Sequence, residues 1–335
     1  MGIHKTLSTL MAAGVIGSAT LGLVGCGGSH AAEPMGAARG LLKSQAPAFY
    51  RMQLGDYELT ALSDGTVLLP LDQMMSNITP AEVRALLTAG FEAHPTETSI
   101  NAFLVNTGSK LLLIDAGAGT LFGTSGGRLI DNLKAAGYDP DEIDAVLLTH
   151  LHGDHSGGLT VDGKRVFPNA VVYVDKADRD YRFDPQAEAA APANQKNMFP
   201  QSRAALMPYE AAGKVALFQG AGELFPGVET IPAHGHTPGH TLFHVESRGE
   251  KIVFFADLVH VAAVQLPQPQ ATINFDANES AAAADRLGML EKFADDRTLV
   301  AAAHIAFPGL GHVRSDKAGG FQWIPRYYSL QGLTR

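Results

Sequence analysis

THLHGDHSGG, residues 149–158, places three histidines and an aspartate within six positions, His150 to His155. The apolar run Ala145–Leu148 precedes it, so His150 is expected at the end of a buried strand. In extended chain His150 and His152 project to one side, and Gly153 then lets the backbone turn so that Asp154 and His155 point elsewhere. A helix would instead spread His150 and His155 by about 140°, at ~100° per residue. The stretch therefore reads as a loop serving two neighbouring metals. The plainer alternative is a solvated turn with structural histidines.

Three further pieces lie downstream, each at the end of an apolar run: His236 in HTPGH, Asp257 in VFFAD and His304 in VAAAH. If Asp257 bridges, one metal receives His150, His152, His236 and Asp257, and the other Asp154, His155, His304 and Asp257. A shared hydroxide would raise each to five ligands. His and carboxylate ligands leave the metal open: zinc first, with Mn, Co, Ni or Fe as alternatives.

HLHGDH followed by HTPGH, a lone Asp and a late His resembles the metallo-β-lactamase superfamily. FYRMQLGDYELTALSDGTVLLPLD, ETSINAFLVNTGSKLLLIDAGAG, NLKAAGY and AAAHIAFPGLGHVR are similar to its methyl parathion hydrolase-like and lactonase-like members, from about Ala46 nearly to the C-terminus. The resemblance implies an α/β fold, a four-layer αβ/βα sandwich with the dinuclear site at the sheet edges. It also implies a homodimer. The chemistry implied is attack by a bridging hydroxide on a carbonyl or phosphoryl centre, with Asp257 fixing the metal separation and accepting a proton. Phenolates leave with little acid assistance, whereas alkoxides need a donor, so lactones and aryl esters are the expected substrates. Organophosphate triesters are expected as a side activity. The alternative is a primary organophosphate triester hydrolase, and a remoter one is a non-catalytic metal-binding lipoprotein.

His240, four residues beyond His236, is expected to support the site, as are Asp115 and Asp64, either of which could equally be a turn residue. By the same resemblance Phe122, Tyr181 and Phe199 wall the mouth of the site. His260 and Phe275 stand where phosphotriesterase relatives carry leucines, so they narrow the pocket toward a planar lactone.

The N-terminus reads as an export signal: Lys5, an apolar stretch from Leu7 to Val24, then small residues. Leu23-Val24-Gly25-Cys26 resembles a lipobox, with Cys26 lipidated; cleavage near residue 32, after Ser29-His30-Ala31, is the alternative. Residues 1–25 are thus expected to be a signal, 26–45 a flexible linker and 46–335 the hydrolase domain, in an exported, periplasmic protein that meets a membrane only through its lipid. Cys26 is the only cysteine, so no thiolate ligand remains. Lys5 is the lone charged residue of that signal among 25 basic residues, so 24 face 34 acidic ones in the mature chain, a balance that repels nucleic acid.

Elsewhere, alternation around Gly55-Asp56 and Asp64-Gly65 predicts two hairpin turns. Thr79–Leu87, Arg128–Ala136, Lys176–Arg182, Ser202–Gly213 and Ser280–Ala294 read as helices between apolar strands, and 184–201 as a surface insertion. GTSGG at 123–127 matches a nucleophile elbow in letters, but glycines break the preceding strand, so it reads as a loop.

Overall fold

Successive residues of KLLLID point to opposite faces and so belong to different cores. Leu112 and Ile114 enter a core shared with Phe243, Val245, Ile252 and Phe254, whereas Leu113 enters another with Leu133, Leu206 and Tyr209. The same division recurs at Ala145 and Leu147 against Val146 and Leu148. In a computed structural model, which describes residues 41–333, these alternations build two packed sheets. The stretch read as an export signal, Cys26 and most of the expected 26–45 linker lie outside the described residues. One compact unit begins at Gln45. Among the described residues no helix is long and apolar enough to cross a membrane.

The first seven-stranded sheet runs in chain order through β1 (Phe49–Leu54), β2 (Tyr57–Leu69), β3 (Thr96–Asn106), β4 (Leu111–Ile114), β5 (Ala145–Leu147), β6 (Val171–Asp175) and β7 (Val215–Phe218). β1 to β4 are antiparallel neighbours, and β4 to β7 are parallel. The second sheet is also in chain order: β8 (Gly222–Phe225), β9 (Val228–Pro232), β10 (Thr241–Ser247), β11 (Glu250–Ala256), β12 (Leu299–Ala302), β13 (Leu310–Ser315) and β14 (Phe321–Pro325). Only its β11–β12 pair is parallel.

Helices cover both outer faces. Leu129 and Leu133 of α2 (Leu129–Ala135), which follows α1 (Pro80–Ala89), pack on the first sheet. Beyond the turn α3 (Gly153–Ser156), α4 (Lys176–Phe183) and α5 (Pro185–Ala190), α6 (Met198–Glu210) adds Ala205, Leu206 and Tyr209 to the same core. Leu290 and Phe293 of α7 (Glu279–Asp295) pack on Val253 and Phe255 of the second sheet. The result is the expected four-layer αβ/βα sandwich.

Three local expectations are corrected. Asp64-Gly65 is no hairpin turn: β2 continues for 13 residues, and a register shift between Ser63 and Gly65 swings the Asp64 carboxylate inward, where the amides of Ala118, Gly127 and Leu129 bond it. Residues 184–201 are mostly exposed, as expected of a surface segment, but they are regular rather than a loose insertion: they form α5 and the first turn of α6, starting at Met198, and bury Ala191, Gln195 and Phe199. Residues 153–156 form a helical turn rather than open loop, with His152 at its N-cap. Gly153 at its first position matters for packing, since a Cβ there would stand 2.8 Å from Leu121 Cδ1 and 3.2 Å from Gln201 Oε1.

Candidate metal centre

The ligand-type side chains gather where strands of both sheets end. His150 and His152 follow β5, Asp154 and His155 sit on α3, His236 lies in the β9–β10 loop, and Asp257 and His304 follow β11 and β12. Ala256 has φ +43°, beside a register shift in the β11–β12 pairing, and this left-handed kink turns Asp257 off the strand. The final SGG of the opening stretch has its own task. A Cβ at Gly158 would stand 1.9 Å from the Ala116 carbonyl, so only glycine lets the ligand loop lie on the 116–119 backbone. The Ala116 amide then donates to the His155 carbonyl (2.7 Å) and the Gly158 amide to that of Gly117 (3.0 Å).

Two groups result: His150, His152, His236 and Asp257, all buried, and Asp154, His155 and His304. Asp257 serves both. Its Oδ2 is 3.1 Å from His236 Nε2 and 3.6 Å from His150 Nε2, and its Oδ1 is 3.0 Å from His155 Nε2 and 3.1 Å from His304 Nε2. Asp154 Oδ2 faces His304 Nε2 at 3.5 Å and His155 Nε2 at 3.7 Å. Imidazole nitrogens also meet one another, His236 with His152 at 3.0 Å and His155 with His304 at 3.3 Å.

The groups fit two metal ions. Buried polar atoms are normally hydrogen-bonded, yet His150 Nε2 and His152 Nε2 have no hydrogen-bond partner among the described residues. A cation satisfies such convergent donors, while protons alone set them against each other. Burial and the neighbouring His155 hold His150 well below the usual histidine range, and burial with the Arg182 charge does the same to His152. Burial also opposes the charged forms of His155 and His236, but Asp257 with Asp154 and Asp115 lifts His155 well above its ordinary value, and Asp257 with Asp276 lifts His236 to about 9. Asp257 is itself drawn far down, against its burial, by His155, His304, His260 and His150.

Behind the ligands stands a layer of acceptors that fixes which ring nitrogen faces inward. Asp115, at φ +59°, receives His155 Nδ1–H at 2.8 Å and both the amide and hydroxyl of Thr149. His304 Nδ1–H donates to the Ser99 carbonyl (2.9 Å) and His236 Nδ1–H to Asp276 Oδ1 (2.8 Å). Asp178 joins the two ligand loops, accepting from the Leu151 amide at 2.6 Å and the Gly239 amide at 3.4 Å. Sequence reasoning missed Asp276, Asp178 and the Ser99 carbonyl. His240 donates to the Ala233 carbonyl and accepts from the Asp257 amide at 3.3 Å, so it braces the backbone beside the centre. Burial and the charge of His236 push His240 down to about 3, which keeps it neutral for that accepting role. Asp64 organises the 118–129 loop and touches no ligand.

A cavity of about 270 Å³ opens over the centre, with Asp257, His152, Asp154 and His304 at its base and Phe122, His260 and Phe275 on its wall. His260 Nε2 lies 3.0 Å from Asp257 Oδ2. Tyr181 and Phe199 are not on this wall, which corrects the expectation for both. Phe199 is fully buried in α6, where its ring contacts Tyr181 at 5.2 Å and the Arg182 guanidinium at 5.0 Å, so α4 and α6 pack the two rings against each other. Val67, Leu69 and Met198 take the wall positions instead. A larger cleft of about 760 Å³, floored by Met52, Ile231 and Leu299, contains none of the ligand-type residues of the centre.

Comparison with known proteins places this geometry. The family profile described as metallo-beta-lactamase superfamily matches residues 95–304. A solved structure of the hydrolase AbOPH, of the beta-lactamase superfamily, is 37% identical and covers 85% of this chain and 100% of its own, with a TM-score of 0.81. AidC, a dizinc quorum-quenching lactonase solved with a product, is 30% identical over 84% of this chain and 98% of its own, with a TM-score of 0.79. Among curated proteins, an N-acyl homoserine lactonase of Bacillus thuringiensis is 27% identical over 120 residues, 36% of this chain. The match spans 40% of that relative's length. With the profile matched over more than half its length, this chain belongs to the metallo-β-lactamase superfamily.

Proposed function

We propose that this metal-dependent hydrolase cleaves lactones and aryl esters, with organophosphate triesters as a slower side reaction. The observation that carries the proposal is the placement of Asp257, shared by two ligand groups, at the base of a narrow cavity walled by His260 and Phe275. The likeness to a dizinc lactonase at 30% identity over nearly its whole length supports the same class. His150, His152, His236 and Asp257 would hold one cation, and Asp154, His155, His304 and Asp257 the other, zinc being the first candidate. When bound, two such cations lower the pKa of a captured water and polarise an electrophile's oxygen.

The chain's own groups do the rest. Asp257 is kept ionised by its histidines, so it would meet the cations as a carboxylate. Burial pushes His260 below its ordinary value, so it is a neutral imidazole whose N–H can donate toward a developing oxyanion. Phe122 and Phe275 flank a flat ring and exclude water, and a tetrahedral triester has two more arms to fit in the same space. Asp115, Asp276 and the Ser99 carbonyl hold three ligand imidazoles in one tautomer. From the N-terminal sequence we further propose export to the periplasm and lipid anchoring at Cys26, and from the resemblance a homodimer.

The test is kcat/KM of metal-replete protein on dihydrocoumarin, phenyl acetate and methyl parathion in parallel, with Asp257→Ala as control. The lactone and ester should exceed the triester by orders of magnitude. A triester preference would mean that His260 and Phe275 do not set specificity, and a fully active Asp257→Ala protein would remove the metal centre from the reaction.

A further inference from the structure

Arg286, in the middle of α7, is 1% exposed, and a buried guanidinium must find acceptors. It finds them in one place. Its Nε donates to the Leu258 carbonyl (2.6 Å), and its Nη1 to those of Pro269 (2.9 Å) and Ala271 (2.8 Å). These acceptors lie at the two ends of the 258–271 segment, so one planar fork closes that segment into a loop. The loop begins directly after Asp257, carries His260, and leads into Ile273 and Phe275 of the cavity wall. Gln265, fully buried inside it, accepts from the amides of His260 and Val261 and donates to the same Ala271 carbonyl.

The remaining guanidinium nitrogen, Nη2, stands 3.8 Å from Asp276 Oδ2. Asp276 Oδ1 receives His236 Nδ1–H, and its Oδ2 receives the Ile273 amide at 3.1 Å. One side chain on the outer helix thus reaches the centre by two routes: through Asp276 to a ligand-type imidazole, and through the 258–271 loop to the wall.

We infer that Arg286 is a positioning residue of the hydrolytic site, setting both the hold of His236 on its metal and the width of the cavity at His260 and Phe275. This rests on the metal-centre reading proposed above. A buried arginine that merely staples a surface loop would affect stability alone.

The test compares wild-type protein with Arg286→Lys, Asp276→Asn and Gln265→Met. Zinc is titrated against a chromogenic chelator, and kcat/KM is measured for phenyl acetate and the bulkier 2-naphthyl acetate. Lysine keeps the charge but not the fork, so Arg286→Lys should weaken one of two zinc equivalents by roughly 10- to 100-fold and spare the other. It should also shift the ester ratio toward the bulkier substrate. Asp276→Asn should reproduce the metal effect without the ratio shift, and Gln265→Met the ratio shift without the metal effect. Should Arg286→Lys fail to fold, these two variants still decide, since loss of neither property would overturn the inference. A folded Arg286→Lys protein with a lower melting temperature, both equivalents intact and an unchanged ratio would also overturn it. Wild-type protein that takes up fewer than two equivalents would instead sink the metal-centre reading, and the inference with it.

Discussion

At the scale of single residues, the centre is a set of buried histidines whose protonation is decided by where carboxylates stand. His236 shows the consequence for pH. Burial lowers it, but Asp257 and Asp276 outweigh burial and raise it to about 9. Its folded value therefore lies above the unfolded one of about 6.5, so its proton stabilises the metal-free fold fully below that value, and the contribution is lost as pH rises through 9. A metal must displace this proton. Zinc affinity, measured by competition in steps across this window, should rise with pH and level off above it; affinity flat or falling over the window would contradict the assignment of His236. Much of this scale was legible in sequence. The seven ligand-type residues announced themselves, His150, His236, Asp257 and His304 because each ends an apolar run and His152, Asp154 and His155 by their spacing within HLHGDH, and Asp115 because it closes KLLLID. Asp276 did not, since it reaches His236 across 40 residues from an irregular segment with no periodicity. Tyr181 and Phe199 were assigned to the wall through local likeness, which carries no information about which face of α4 or α6 looks inward.

Elements position the centre through close backbone approach. The ligand loop rests on the 116–119 loop only because Gly157 and Gly158 have no side chains. Gly158→Ala should cost about 1–3 kcal/mol, as overpacking does, and because it displaces α3 it should also lower zinc occupancy. Denaturant unfolding with metal analysis checks this, and full occupancy in the variant would show that the loop contact is not needed. The contrasting case is α1, where Thr79 and Glu82 form a reciprocal capping box at the exposed start of the helix. Thr79→Ala should cost about 1 kcal/mol with kcat/KM unchanged, the value usual for a lost cap. The start of this helix was readable at Thr79-Pro80, whereas the reciprocal contact of Glu82 was not. The bulges at Asp64 and Ala256 were not, because a bulge is fixed by the register of a partner strand that the local sequence does not specify.

For the whole molecule, the ligands come from both sheets: His150, His152, Asp154 and His155 follow a strand of the first, and His236, Asp257 and His304 come from loops of the second. Two bound cations would therefore tie the halves of the sandwich together. At free zinc a thousandfold above Kd, each site adds about 4 kcal/mol of linkage stabilisation. Chelation should lower the melting temperature by many degrees, and re-addition of zinc should restore it; an indifferent melting curve would mean that the groups do not bind metal in the folded protein. Strand and helix alternation predicted sheets covered by helices, and the resemblance carried by the motif implied the four-layer sandwich. That both sheets run in strict chain order was not, since adjacency of β1 to β7 or β8 to β14 depends on pairing between distant strands.

The most direct measurement is kcat/KM for dihydrocoumarin as zinc is returned stepwise to chelated protein. The account predicts no hydrolysis without zinc and a plateau once two equivalents are bound, with Asp257→Ala never reaching it. Full activity without metal or at one equivalent, or a fully zinc-loaded protein that leaves the lactone intact, would contradict it.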